Sequence, residues 1–216
     1  MSRFRLVLHE LAEHVPFTAA GAVTGIIVMV IVELSHIPRE VSEALFYTLH
    51  PLHVAFSAVV VTALYRLNHK KPNVFMSIII AYLGAVVIAT VSDVIFPYLE
   101  GNAISIEMEF HLPFLETEII PYLGIPEWVA VNAGAAIGIA VAFFRPSTKL
   151  PHMGHILVST WASLFAFTAF GSANWIPLLP LIFVFLFFAV WIPCCFSDIV
   201  FPLLWARGGT ARHHHH

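Results

Sequence analysis

Residues 92–97 read SDVIFP, and residues 197–202 read SDIVFP. Each copy sets an aspartate inside an apolar run, with a serine before it and a proline four residues after it. An ionisable side chain in hydrocarbon is expensive and is usually kept for a function. Reading outward from the two copies shows what else recurs between them.

The surroundings are membrane-like. The 216 residues are 59% hydrophobic and only 11% charged, too few charges to cover a water-soluble globule of this size. Apolar runs near the length that crosses a bilayer, about 20 residues, fall at 16–35, 50–67, 73–99, 127–145, 152–172 and 175–205. The expected fold is therefore all-α and polytopic, with six transmembrane helices. The first run is too long, and its sequel too apolar, for a cleaved signal peptide. His213 to His216 follow Gly208-Gly209-Thr210 and read as an expression tag. The net charge of −3 says little about partners, and nothing points to nucleic acid.

The apolar runs fall into two matching sets of three. The first holds Ala20-Gly21-Ala22-x-x-Gly25-Ile26 and the fourth Ala133-Gly134-Ala135-x-x-Gly138-Ile139. The second opens His50-x-x-His53-x-x-x-Ser57 and the fifth His152-x-x-His155-x-x-x-Ser159. The third and sixth carry the Ser-Asp-x-x-Phe-Pro segments. A repeat three spans long must enter the membrane upside down in its second copy, the inverted topology of many secondary transporters. The expected organisation is an interfacial amphipathic helix at 1–15, a first repeat at 16–99 and an acidic loop at 100–126. A second repeat at 127–207 and a tail at 208–216 follow. The glycines, four apart, read as packing seams between helices.

Basic residues orient the chain, because Lys and Arg are retained on the cytoplasmic side. With both termini cytoplasmic in an inner or plasma membrane, Arg3, Arg5, Arg66, Lys70, Lys71, Arg145, Lys149, Arg207 and Arg212 lie inside. Only Arg39 then lies outside, with the loop bearing Glu100, Glu107, Glu109, Glu116 and Glu118. On this reading His50 and His53 begin a span at the outer face and His152 and His155 begin one at the inner face, about 30 Å of hydrocarbon apart. Each His pair shares its side with the aspartate of its own repeat, Asp93 or Asp198.

Residues three and four apart share a helix face, so His50, His53 and Ser57 form one polar stripe and His152, His155 and Ser159 another. Imidazole and carboxylate together suit a divalent transition ion, Zn, Mn or Fe, as substrate or bound ion. Proline clashes with the carbonyl four residues before it. Pro97 and Pro202 should thus free the backbone carbonyls of Asp93 and Asp198, with Ser92 and Ser197 offering hydroxyls. Secondary metal candidates are His9, Glu13, His14, Glu33 and His36, although solvated ion pairs on an interfacial helix explain the N-terminal ones as well. The adjacent Cys194 and Cys195 exclude a disulfide framework and read as buried packing, with a soft-metal role as the alternative.

Two functions follow from this pattern. A divalent-metal transporter, or a half-transporter acting as a homodimer, uses two symmetry-related His/Asp sites. An intramembrane zinc hydrolase acting on a lipid-like substrate, as in alkaline ceramidases and adiponectin receptors, needs a single site with an open coordination position. Two partial sites at opposite faces favour transport. At Ser92, Asp93 and Pro97, and at Ser197, Asp198 and Pro202, the chain also resembles the ten-span heavy-metal or manganese exporter family, although it has six apolar runs. The resemblance implies export of a divalent metal, with the two aspartates as ligands.

Overall fold

The computed structural model describes residues 3–146 and 149–205, with the side chains of 3–11, 13, 149–153 and 195 outside the described set. Most described residues lie in long helices: α1 Arg3–Leu34, α2 Arg39–Asn68, α3 Val74–Ala103, α4 Glu127–Phe144, α5 Lys149–Phe170 and α6 Ile176–Trp205. Five of these, all but α5, contain a stretch long and apolar enough to cross a bilayer. In α5 the apolar stretch among the described residues, Gly154–Phe170, is shorter. The outer surface agrees with a lipid environment: Phe144 is 87% exposed, Leu34 68%, Phe75 67% and Ile137 61%. Apolar exposure on this scale is incompatible with water and ordinary against acyl chains.

Two boundaries differ from those read in the sequence. Residues 3–15 are the opening turns of α1, which runs unbroken through Pro16. Helix α2 starts at Arg39, well before residue 50. Its first turns carry Arg39, Glu40 and Glu43, which lower the local hydropathy but suit a helix start after Pro38, with Glu40 in the first turn complementing the helix dipole. Arg39 bonds Glu43 at 2.8 Å and Glu109 of the acidic loop at 2.7 Å. The loop is tied down further by β1 Glu107–Met108 pairing antiparallel with β4 Gly171–Ser172, and by the hairpin of β2 Ile119–Ile120 with β3 Ile125–Pro126. His36, with φ of 50°, makes the turn between α1 and α2.

Helices α2 and α5 pack on each other at the centre, with α4 on α2 and α1 on both α5 and α6. The glycine stripes are the seams. A Cβ on Gly134 would lie 2.6 Å from the Pro51 carbonyl oxygen, and one on Gly138 would strike the Ala55 carbonyl. Across the molecule Gly21 and Gly25 face Thr160 of α5. Close backbone approach of this kind gives helices their grip in lipid, where no hydrophobic effect drives them together.

Both Ser-Asp segments adopt π-helical turns, Val91–Ile95 in α3 and Phe196–Val200 in α6, and α3 has a third at Leu83–Val87. Pro97 and Pro202 stand two residues beyond the ends of the turns that hold the aspartates. Widening the turn to five-residue hydrogen bonds, as from the Phe96 N–H to the Val91 carbonyl, absorbs the proline without breaking the helix. The widened turns also expose carbonyls to side-chain donors. The hydroxyl of Ser197 donates to the Gly84 carbonyl at 2.7 Å, and Ser163 lies 3.1 Å from the Ser92 carbonyl.

Candidate metal centre

The site forms where the middle of α2 meets the beginning of α5, between the π-turns of α3 and α6. His50, His53 and Ser57 project from one stripe of α2, as their spacing requires. Both histidines reach the same atom: Nδ1 of His50 lies 2.9 Å, and Nδ1 of His53 2.6 Å, from Oδ2 of Asp93. In the second set, Nδ1 of His155 lies 3.2 Å from Oδ2 of Asp198. Each of these three histidines thus pairs with the aspartate of its own set of apolar runs.

The serines cross over. Ser57 donates to Asp198 Oδ1 at 2.8 Å and lies 3.4 Å from the Ser197 hydroxyl. Reciprocally, Ser159 donates to Asp93 Oδ1 at 2.9 Å and lies 3.3 Å from the Ser92 hydroxyl. The second carboxylate oxygen of Asp93 is also 2.7 Å from Ser92 and 3.4 Å from Ser163. Neither aspartate has any exposed surface. A buried carboxylate is tolerable only when its lone pairs are met in this way.

The expected separation of the two His sets is wrong. The rings of His53 and His155 stack with centroids 5.4 Å apart and planes 18° from parallel. The cause is the earlier start of α2, which puts His53 about four turns inside the helix, roughly 21 Å from its first residue. The chain has one central cluster in place of two distant half-sites.

Cys194, read as packing, belongs to this cluster. Its Sγ lies 3.9 Å from His53 Nε2, and its thiol donates to Ser159 Oγ at 3.4 Å. Among the described residues, two trios have ligand atoms within 4.8 Å of one another: His50, His53 and Asp93, and His53, His155 and Cys194. His53 belongs to both. A signal for Cys194 was present in the sequence, because it stands four residues before Asp198 on a helix and therefore on the same face. Ser163, four residues beyond Ser159, carries the same signal.

Other candidates fall away from the centre. The side chains of His152, His9 and Glu13 lie outside the described set. His14 is buried, and its backbone carbonyl accepts the Thr18 hydroxyl at 3.1 Å. Among the described residues, Glu33 and His36 join no group of three ligating side chains. His111 of the loop instead comes close to the cluster. It packs 4.0 Å from the Phe170 ring and 5.3 Å from that of Phe46, on which His50 stacks. Burial, with a smaller effect from His50 and against the opposing pull of the Glu109 backbone, pushes the His111 pKa down to about 4.

That depression makes a stability prediction. Between about pH 6.5 and 4 the unfolded chain protonates His111 while the folded chain does not, so this contribution is full above pH 6.5 and is lost as pH falls towards 4. The loss reaches at most about 3 kcal/mol. His111→Phe keeps the aromatic packing and should flatten this part of the pH dependence. Thermal melts of both proteins in detergent across that range measure the difference, and parallel curves would contradict it.

Neither a family model, nor a curated protein, nor a solved structure matches this chain, so the geometry of the cluster carries the functional reading.

Proposed function

We propose that the protein is a divalent transition-metal transporter of two inverted three-helix repeats, with α5 as the sixth span and both termini cytoplasmic. One observation carries this reading. Among the described residues, three histidines and two aspartates meet at the crossing of the two recurring segments, buried on every side, with His50, Asp93, His155 and Asp198 at 0% exposure and His53 at 1%. An ion held there is occluded, as an alternating-access cycle requires at its midpoint. The reciprocal Ser57–Asp198 and Ser159–Asp93 bonds support the pseudo-two-fold relation. So do the paired seams of α4 on α2 and α1 on α5. Rocking one repeat against the other would open the cluster to each side in turn. The resemblance of the Ser-Asp segments to the heavy-metal exporter family agrees with this cargo and favours export.

The single shared cluster also keeps the zinc-hydrolase reading in play, since it removes the distance between half-sites that argued against an enzyme. A lipid hydrolase nevertheless needs substrate room beside its metal. The groove of about 480 Å³ between α3 and α4, lined by Val74, Tyr82, Asn132 and Phe143 among others, includes none of the cluster.

The test uses purified protein in vesicles loaded with a metal indicator. Saturable flux of zinc, manganese or iron(II) is expected, reduced by roughly tenfold or more in His53→Asn. Because the ligands must shed protons to bind, flux should rise with pH. A pH-independent flux would exclude proton coupling. No flux of any of these ions, with cleavage of a lipid amide or ester by the zinc-loaded protein, would establish the enzyme instead.

A further inference from the structure

Resting on the metal-binding reading, we infer the coordination sphere and the class of ion. The ion is held by Nε2 of His53, the imidazole of His155 and the thiolate of Cys194, while Asp93 and Asp198 stand behind the histidines. This set selects soft or borderline ions of the zinc and cadmium type over manganese and other hard ions.

The first reason is ring orientation. His53 turns Nδ1 to Asp93 at 2.6 Å and Nε2 towards Cys194 Sγ at 3.9 Å. His155 turns Nδ1 to Asp198 at 3.2 Å and stacks on His53. A carboxylate on the far nitrogen is the usual support of a metal-binding histidine, fixing its tautomer and raising its basicity. Here each repeat supplies one such supported imidazole, and their rings lie together.

The second reason is spacing. In a tetrahedral site with metal–nitrogen and metal–sulfur distances of about 2.0 and 2.3 Å, ligand atoms stand roughly 3.3–3.7 Å apart. The 3.9 Å between His53 Nε2 and Cys194 Sγ needs little adjustment. In the other trio the distances of 2.6 and 2.9 Å to Asp93 Oδ2 are those of hydrogen bonds, too short to admit an ion between the partners.

The third reason is composition. Two imidazoles and one sulfur suit zinc and softer ions, whereas manganese prefers oxygen. Sulfur breaks the pseudo-symmetry, because the position matching Cys194 in the first repeat, four residues before Asp93, is Ala89. One thiol implies one such ion per chain. The metal displaces the thiol proton on binding, as it does for any cysteine ligand.

Cobalt(II) added to the full-length protein in detergent tests this directly. The expected result is one cobalt per chain, with a near-ultraviolet sulfur-to-cobalt charge-transfer band that Cys194→Ser abolishes and Cys195→Ser leaves intact. Competition should show native protein favouring cadmium over manganese, with Cys194→Ser reducing that preference by roughly tenfold or more. Cobalt bound without the band would overturn the inference. A band lost only in Cys195→Ser, or a cadmium-to-manganese preference unmoved in a Cys194→Ser protein that elutes normally, would do so too. If native protein binds none of cobalt, zinc, cadmium or manganese, the metal-binding reading itself fails.

Discussion

Asp93→Asn weakens zinc binding by roughly ten- to a hundredfold, the usual effect of losing a carboxylate that orients metal-bound imidazole. The reasoning starts from Oδ2, which accepts from both His50 and His53. An asparagine amide keeps one accepting oxygen and turns an N–H₂ group towards the other side. Either it bonds the histidines and gives up Ser159, or it keeps Ser159 and opposes two N–H donors with a third. In the second case the His53 ring loses its fixed tautomer, and in both it loses the negative charge that strengthens Nε2. Asp198→Asn costs less, because its described imidazole partner, His155, stands farther off, at 3.2 Å. Equilibrium dialysis of zinc against the three proteins gives the order native, Asp198→Asn, Asp93→Asn. A loss beyond about a thousandfold for Asp93→Asn would place that carboxylate on the metal itself.

The second large effect is structural. Gly138→Val should leave no well-folded protein, because even a single Cβ there meets the Ala55 carbonyl and the Ala58 methyl. The obstacle is backbone, which cannot rotate away. Relief requires α4 to withdraw from α2, and overpacking of this kind costs about 1–3 kcal/mol or more. Gly25→Ala, in the corresponding seam, is the control. Its Cβ would meet Thr160 Cγ2 at 3.6 Å and Leu186 Cδ1 at 3.8 Å, ordinary contact distances. Detergent-solubilised Gly25→Ala should melt close to the native temperature, while Gly138→Val elutes as aggregate. Equal behaviour of the two would refute the seam.

Much of this was legible in the sequence because it depends on local spacing. The His50-x-x-His53-x-x-x-Ser57 stripe and the small-residue spacing of the seams are one-helix properties, and the structure has both. The merging of the two His sets was not legible. It depends on where α2 begins, and a hydropathy reading discards Arg39, Glu40 and Glu43 although they fold into the first turns of that helix. The place of Cys194 in the cluster was not legible for a different reason. Its role comes from α6 crossing α2, and an i, i+4 relation to Asp198 indicates a face without saying what that face meets. Pro97 marks the right place with a different outcome: a widened turn that offers the Ser92 carbonyl to the Ser163 hydroxyl.

The crossed serines have a consequence for the order in which the protein is made. When the ribosome has delivered the first three helices, Asp93 already has His50, His53 and Ser92, but Ser159 and Ser163 do not yet exist. The emerging half therefore holds a carboxylate short of two donors, and an unmet polar group inside lipid costs several kcal/mol. Asp198 arrives late, to a Ser57 already waiting in α2. Completion of the second half is thus also completion of the first. A truncated chain ending in the acidic loop would be a substrate for quality control rather than an independent module.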